Sequence, residues 1–204
     1  MILLSIRFHS IKSEIRVLGI DDGKFVPHTK GTVNVVGVIY RGAFYFEGIM
    51  HTEIKIDGLN VTQKFASMIK ASPYYGELRV VLLNGITFGG FNVVDIHELF
   101  NLIDLPVLSV VRKKPDFSEI KAALRNLPDF KTRWQAIQDC GNLFQVEIKP
   151  EFNSVYVQVA GITVDDAKKI LKKICVFSNN PEALRVAHII ASGLFPIKSK
   201  DLNY

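Results

Sequence analysis

Three long β-type runs fill the first third of the chain with only short turns between them, and this limits what the rest can fold into. Residues 15–20 (IRVLGI) end at Asp21-Asp22-Gly23. Residues 32–40 (TVNVVGVIY) are β-branched and apolar, Arg41-Gly42 makes a tight turn, and residues 43–56 form a third, longer run with alternating stretches. Such residues suit a pleated, half-buried surface. Connections this short join antiparallel neighbours, so a meander is expected.

The pattern then changes. Asn60 followed by Gln63 is a capping-box signal for a helix over residues 61–70. Residues 79–83 (RVVLL) and 106–111 (PVLSVV) are short, almost wholly apolar runs, as expected of strands covered on both faces. Between them residues 91–100 read as a helix. Helices over residues 118–127 and 131–140 follow, then strands over 143–148 and 155–159 that pair as a late hairpin. Helices over 164–173 and 181–191 close the chain, the last with Asn180 at its N-cap and Pro181 at N1. A three-strand meander leading into β-α-β-α-β is the order of an α/β, ribonuclease-H-like mixed sheet flanked by helices. Its strand order would be third-second-first-fourth-fifth. A simple doubly wound sheet would lack the meander.

With 204 residues the chain is expected to form one domain over residues 1–204, and 48% hydrophobic residues are enough to build a large core. A net charge of +5 suits a polyanionic partner. Cys140 and Cys175 show no metal-ligand spacing and read as reduced thiols. Arg7, His9 and Lys12 interrupt the apolar start before it reaches signal-peptide or membrane-spanning length. A cytoplasmic protein with a short N-terminal extension, in the form of an extra strand, is expected, with no membrane partner.

The chemistry-bearing candidates cluster at predicted strand ends. Asp21 and Asp22 close the first strand on opposite faces, and Asp21 is the better placed to bind a metal ion. Asp57 follows the third strand as a second oxygen ligand, although Asp-Gly is also an ordinary turn dipeptide. Asn84 ends the fourth strand and opens a glycine-containing loop, residues 84–92 (NGITFGGFN), with neither a Walker A nor a dinucleotide fingerprint. Gly85, Gly89 and Gly90 are candidate backbone contacts to nucleic acid. Phe88 and Phe91 either stack on bases or pack inward. Arg112, Lys113 and Lys114 follow the fifth strand, on the same expected sheet edge as Asn84, and suit a phosphate backbone. The lysines at 168, 169, 172 and 173 read as a solvated face. Glu182, Arg185 and His188 recur at three-residue spacing on the last helix and are candidate supporting residues. No Ser/His/Asp or Cys/His nucleophile set stands out.

Residues 16–23 (RVLGIDDG), Asp57-Gly58, residues 85–96 (GITFGGFNVVDI), 106–115 (PVLSVVRKKP) and 181–193 (PEALRVAHIIASG) together resemble the archaeal domain-of-unknown-function family 99. That family is thought to be a distant relative of endonuclease V. The resemblance implies a ribonuclease-H-like fold and Mg²⁺-dependent cleavage of nucleic acid near deaminated purines. It places the first catalytic acid, at a Gly-hydrophobic-Asp strand end, on Asp21. The helix-start Glu of endonuclease V has no counterpart, and Asp57 is an approximate substitute. The third acid, an Asp-Gly, falls on Asn84-Gly85, and the following Lys falls near Lys113. The strand-opening Pro-Tyr-Ile-Pro-Gly stretch is absent.

Two functions are therefore expected. One is a divergent metal-dependent nuclease using Asp21 and Asp57, with Mg²⁺ or Mn²⁺ held weakly by Asp21, Asp57 and Asn84 and DNA or RNA as partner. The other is a non-catalytic module that binds nucleic acid or a nucleotide through the same edge, its metal site degraded. A structural or partner-binding role is a third possibility.

Overall fold

The computed structural model describes residues 6, 8–27 and 29–194. The meander is present as β1 (Arg16–Asp22), β2 (Thr32–Arg41) and β3 (Tyr45–Lys55). Helix α1 (Val61–Lys70) and a single 3₁₀ turn lead to β4 (Val80–Leu83). A two-stranded hairpin, β5 (Thr87–Phe88) and β6 (Asn92–Val93), precedes α2 (Ile96–Ile103). Then come β7 (Val107–Val111), α3 (Phe117–Leu124), α4 (Phe130–Asp139), β8 (Phe144–Val146), β9 (Val155–Ala160), α5 (Val164–Ile174) and α6 (Glu182–Gly193).

The main sheet runs β3-β2-β1-β4-β7-β9-β8. Its first five strands stand in the order expected from the sequence. β4 lies parallel to β1 and β7 parallel to β4. The late hairpin joins this sheet as its sixth and seventh strands, with β9 antiparallel to β7. The core forms two apolar layers. On one face α5 and α6 pack through Ile170, Leu171, Leu184 and Ala187 onto Val17, Val36, Leu82 and Val157. On the other, α1 and α2 pack through Phe65, Ile69, Ile96 and Leu99 onto Leu18, Ile20, Val81 and Leu83. Both faces of β4 are thus covered, which explains its unbroken apolar run.

Helix α6 follows β1 closely. A Cβ on Gly19 would stand 2.5 Å from the Ala183 backbone, and one on Gly23 would stand 2.7 Å from the Ala191 carbonyl. Side chains at these two positions would push the helix off the strand.

Several expectations are corrected. The helix expected over residues 91–100 begins at Ile96, because residues 87–93 turn back as a hairpin and Asp95 accepts from His97 N and Glu98 N as the N-cap. Asn60 caps nothing. The N–H of Val61 donates to Asn92 Oδ1 across the fold, and Gln63 reaches Glu98. Pro181, not Asn180, holds the N-cap position of α6, since its extended ψ of 135° puts it outside the helix. The extra N-terminal strand falls largely on residues 1–5, outside the described residues. Among the described residues no helix is long and apolar enough to cross a membrane.

Candidate functional site

Asp21 stands at the end of β1 beside β4, and its side chain turns toward α6. It is only 3% exposed. Its Oδ2 accepts from Asn84 Nδ2 at 3.0 Å and pairs with His188 Nδ1 at 2.8 Å, while Oδ1 accepts from Asp22 N at 3.0 Å. Each partner arrives through a different element. Parallel pairing of β1 with β4 continues one step past Leu83, where Asn84 N donates to Ile20 O, so Asn84 lies beside Asp21. The close run of α6 along β1 carries His188 to the same carboxylate. Burial pushes the Asp21 carboxyl above its ordinary range, and Asn84 and His188 draw it part of the way back. While Asp21 is ionised, the proton between them sits on His188 Nδ1. The His188 side chain is 63% exposed, and in the neutral ring with the proton on Nδ1 the opposite nitrogen, Nε2, is an acceptor.

Asn84 also borders an open cleft of about 550 Å³ that Val111, Arg112, Lys113, Asn153 and Asn179 complete. Asn179 Nδ2 donates to Asn153 O at 3.1 Å, which ties the loop before α6 to the loop before β9. Lys114 is exposed and lies outside this lining. Asp21, Asn84, His188, Arg112 and Lys113 thus gather at one sheet edge. Asn153 and Asn179 are not legible as site residues in the sequence, because each sits in a loop without a motif. A hollow of similar size at the opposite edge, lined by Arg16, Glu77 and Arg79, contains none of the candidate residues.

The other candidates are used differently. Asp22 points to the far face, where its Oδ2 accepts from Gly89 N at 2.6 Å. Burial pushes its carboxyl up to about 6; the Gly89 N–H opposes this and the nearby Asp21 charge adds to it. Asp57, in the left-handed region at φ 50°, accepts from Phe91 N through Oδ1 at 2.8 Å and donates its own N–H to Gly89 O at 2.8 Å. Its carboxylate is therefore engaged in closing the glycine loop and is not among the groups bonded to Asp21. Gly89 is buried, its N–H is spent on Asp22, and Gly90 packs against the Asp57 carboxylate. The loop is thus folded inward and does not present Gly89 as a phosphate contact. Gly85 is buried at φ +86°, the backbone conformation that turns the chain out of β4. Phe88 is fully buried, with its ring 4.9 Å from that of Phe65 in an edge-to-face pair, so it is a core residue and not a base-stacking platform. Glu182 and Arg185 pair with each other at 2.7 Å and do not orient His188.

One residue outside the candidate set locks this arrangement. Arg133 of α4, 2% exposed, donates to four backbone carbonyls: Asp57 at 2.6 Å, Phe91 at 2.6 Å, Gly58 at 2.9 Å and Pro128 at 3.1 Å. Burial draws its pKa below the ordinary range, and the charges of Asp57 and Asp129 oppose the shift. A charged residue at this spacing on a short helix reads as a solvated face; only the tertiary fold turns it inward.

Comparison with known proteins fits this architecture. A family model described as endonuclease dU matches residues 13–195. A UPF0215 protein of Methanothermobacter thermautotrophicus is 45% identical over 188 residues, covering 92% of this chain and 91% of that protein. Another from Methanosarcina acetivorans is 44% identical over 191 residues, covering 94% and 95%. Among solved structures, a protein of unknown function from Archaeoglobus fulgidus superposes with a TM-score of 0.80 at 37% identity, over 88% of this chain and 98% of that one. Human ENDOV superposes with a TM-score of 0.60 at 15% identity, over 93% and 90%. The second likeness is one of fold, and it agrees with the ribonuclease-H-like arrangement expected from the strand order. By the extent of the family match and these identities, the chain belongs to the endonuclease dU family.

Proposed function

We propose that this protein is an endonuclease that cleaves DNA at deoxyuridine, with Asp21 as its principal catalytic carboxylate. The observation that carries the reading is the convergence on Asp21: a buried carboxylate held by Asn84 and His188, beside a cleft with Arg112 and Lys113 on its wall. The family's description supplies the nucleotide. The endonuclease V likeness supports the nuclease class through fold alone.

Among the described residues no group of three or more His, Cys, Asp or Glu is arranged to hold a metal ion. A two-metal cage therefore does not fit. One Mg²⁺ or Mn²⁺ does, because such ions commonly take one or two protein carboxylates and complete their shell with water and substrate phosphate. Asp21 would hold it, with Asn84 supplying a neutral oxygen after its amide turns over. When bound, the ion offsets charge on a phosphoryl oxygen. His188 Nε2 accepts a proton from the attacking water while Asp21 fixes the ring; as the new P–O bond forms, the P–O bond to the departing sugar oxygen breaks, and that oxygen takes its proton from solvent. Arg112 and Lys113 hold the phosphates on either side of the cleaved bond. The incomplete set of acids favours a second reading, a binding module with a degraded metal site.

The test is cleavage of an oligonucleotide duplex containing one deoxyuridine, with Mg²⁺ or Mn²⁺. The natural protein should nick it, and Asp21→Ala should cut the rate by at least about 100-fold while remaining folded. Changing Arg112, Lys113 and Lys114 together to Ala should reduce the salt dependence of DNA binding by up to about three phosphate contacts' worth. Binding without any nicking by the natural protein would leave the second reading.

A further inference from the structure

A smaller hollow lies just behind the sheet edge, on the face opposite α6. It has a volume of about 90 Å³ and is mostly apolar. Gly85, Val111 and Pro115 form its rim, and Phe117, Ile120 and Ile137 of α3 and α4 roof it. Its floor is polar. Ser109 of β7 and Gln158 of β9 are paired across the two strands, and each is 3% exposed.

We infer that this hollow is a binding site for a single pyrimidine base of the uracil type, with Gln158 and Ser109 reading its polar edge. The inference rests on the proposed function and names the substrate contact of that same site. An enzyme that acts at one base in DNA takes that nucleotide out of the stack and holds the base in a fitted pocket. The location suits this. Gly85 follows Asn84 directly, and Val111 lines both this hollow and the phosphate cleft. The two hollows therefore adjoin, as the phosphate and base of one nucleotide require.

Size and hydrogen bonding both select the ligand. An apolar cavity of roughly 150 Å³ accepts a benzene ring. At about 90 Å³ this hollow is smaller than that, so it takes in the polar edge of a single ring and has no room for a fused two-ring purine. Gln158 Nε2 donates to Gly141 O at 3.1 Å, which fixes the side-chain amide with Oε1 as its other polar atom. That oxygen is an acceptor. It accepts the N3–H of uracil, whereas cytosine presents a lone pair at the same place. Ser109 is 3% exposed, and its hydroxyl can donate to a uracil carbonyl. A site built to hydrogen-bond a particular edge rejects the analogue that leaves its buried groups unpaired.

The experiment measures binding of labelled oligonucleotides carrying one deoxyuridine, deoxycytidine, deoxyinosine or abasic site, in EDTA so that no cleavage occurs. The natural protein should prefer deoxyuridine over deoxycytidine and deoxyinosine by about tenfold or more. Gln158→Leu should erase the preference over deoxycytidine. Ile120→Trp, which fills the hollow from a half-buried position on α3, should weaken deoxyuridine binding. Both variants should bind the abasic oligonucleotide as the natural protein does, which shows that they are folded. The preference for uracil surviving in both variants would overturn the pocket, as would no preference in the natural protein. Cleavage dependent on Asp21 alongside an unchanged preference would sink the pocket and leave the nuclease. Preference lost in the variants, in a protein that never cleaves, would sink the nuclease and leave the pocket.

Discussion

Asp21 and Asp22 are adjacent, yet β1 sends their side chains to opposite faces with opposite outcomes. On the α6 face Asp21 meets two solvent-exposed side chains, Asn84 and His188, at the sheet edge. On the other face Asp22 meets the fixed N–H of Gly89, in a loop that Asp57 and Arg133 also clamp. One carboxylate is held by groups that can exchange for a ligand. The other is held by backbone that cannot move without unravelling residues 57–58 and 89–91. The comparison teaches that an acidic residue at a strand end becomes a site or a staple according to what the opposing element offers it.

The largest expected effect tests the clamp. Arg133→Met removes the donor from four carbonyls at a buried position, and leaving such groups unpaired should cost about 3 kcal/mol or more. A denaturant titration measures it. A loss below about 1 kcal/mol would mean that the loop is held by its other bonds.

The second prediction concerns pH. The Asp22 carboxyl is raised in the folded state from its ordinary 3.8 to about 6, so the folded protein binds that proton more tightly than the unfolded chain does. Its contribution to stability is full below about pH 4 and is lost as the pH rises through about 6. Asp22→Asn keeps an oxygen for Gly89 N and removes the charge. It should raise the melting temperature at pH 7 and flatten the pH dependence between about 4 and 6. An unchanged slope would show that Asp22 does not titrate there.

A smaller effect is expected on the α6 face. Asn84→Asp sets a second carboxylate against Asp21, a repulsion that a divalent cation relieves. Mn²⁺ affinity by calorimetry should rise about tenfold, or about 1.4 kcal/mol. The gain should vanish when Asp21→Ala is added. Equal affinity in all three proteins would remove the metal from this edge.

The smallest effect separates the two uses of acid most directly. Asp57→Asn retains an acceptor for Phe91 N, and Asn tolerates the left-handed backbone, so stability should fall by no more than about 1 kcal/mol and nicking should persist. Loss of nicking in a protein of unchanged melting temperature would instead give Asp57 the ligand role that its place after the third strand suggested.

Much of the architecture was legible without the fold. The β-branched runs and short turns specified the meander, and the wholly apolar run at residues 79–83 specified a strand covered on both faces. Together they gave the order of the first five strands. The Gly-Ile-Asp strand end and the Asn84 position followed from where those strands stop, because parallel neighbours end at the same edge. Errors came where distant groups took over a local signal. Asn92 supplied the α1 contact expected of Asn60, and the 87–93 hairpin displaced the start of α2.

Sequence by itself determined the periodicities, and these are local: alternate residues along a strand, every third or fourth along a helix. That was enough to put Asp21 and Asp22 on opposite faces and His188 on a helix with an apolar side. Only tertiary structure decided that His188 meets Asp21, that Arg133 turns inward to four carbonyls, and that Ser109 and Gln158 floor one hollow. Apart from the Arg133 bond to Pro128, each of those contacts joins residues far apart in the chain. The first depends on the placement of α6, which Gly19 and Gly23 permit by close approach, and the others on where α4 lies and how β7 pairs with β9; no periodicity encodes these.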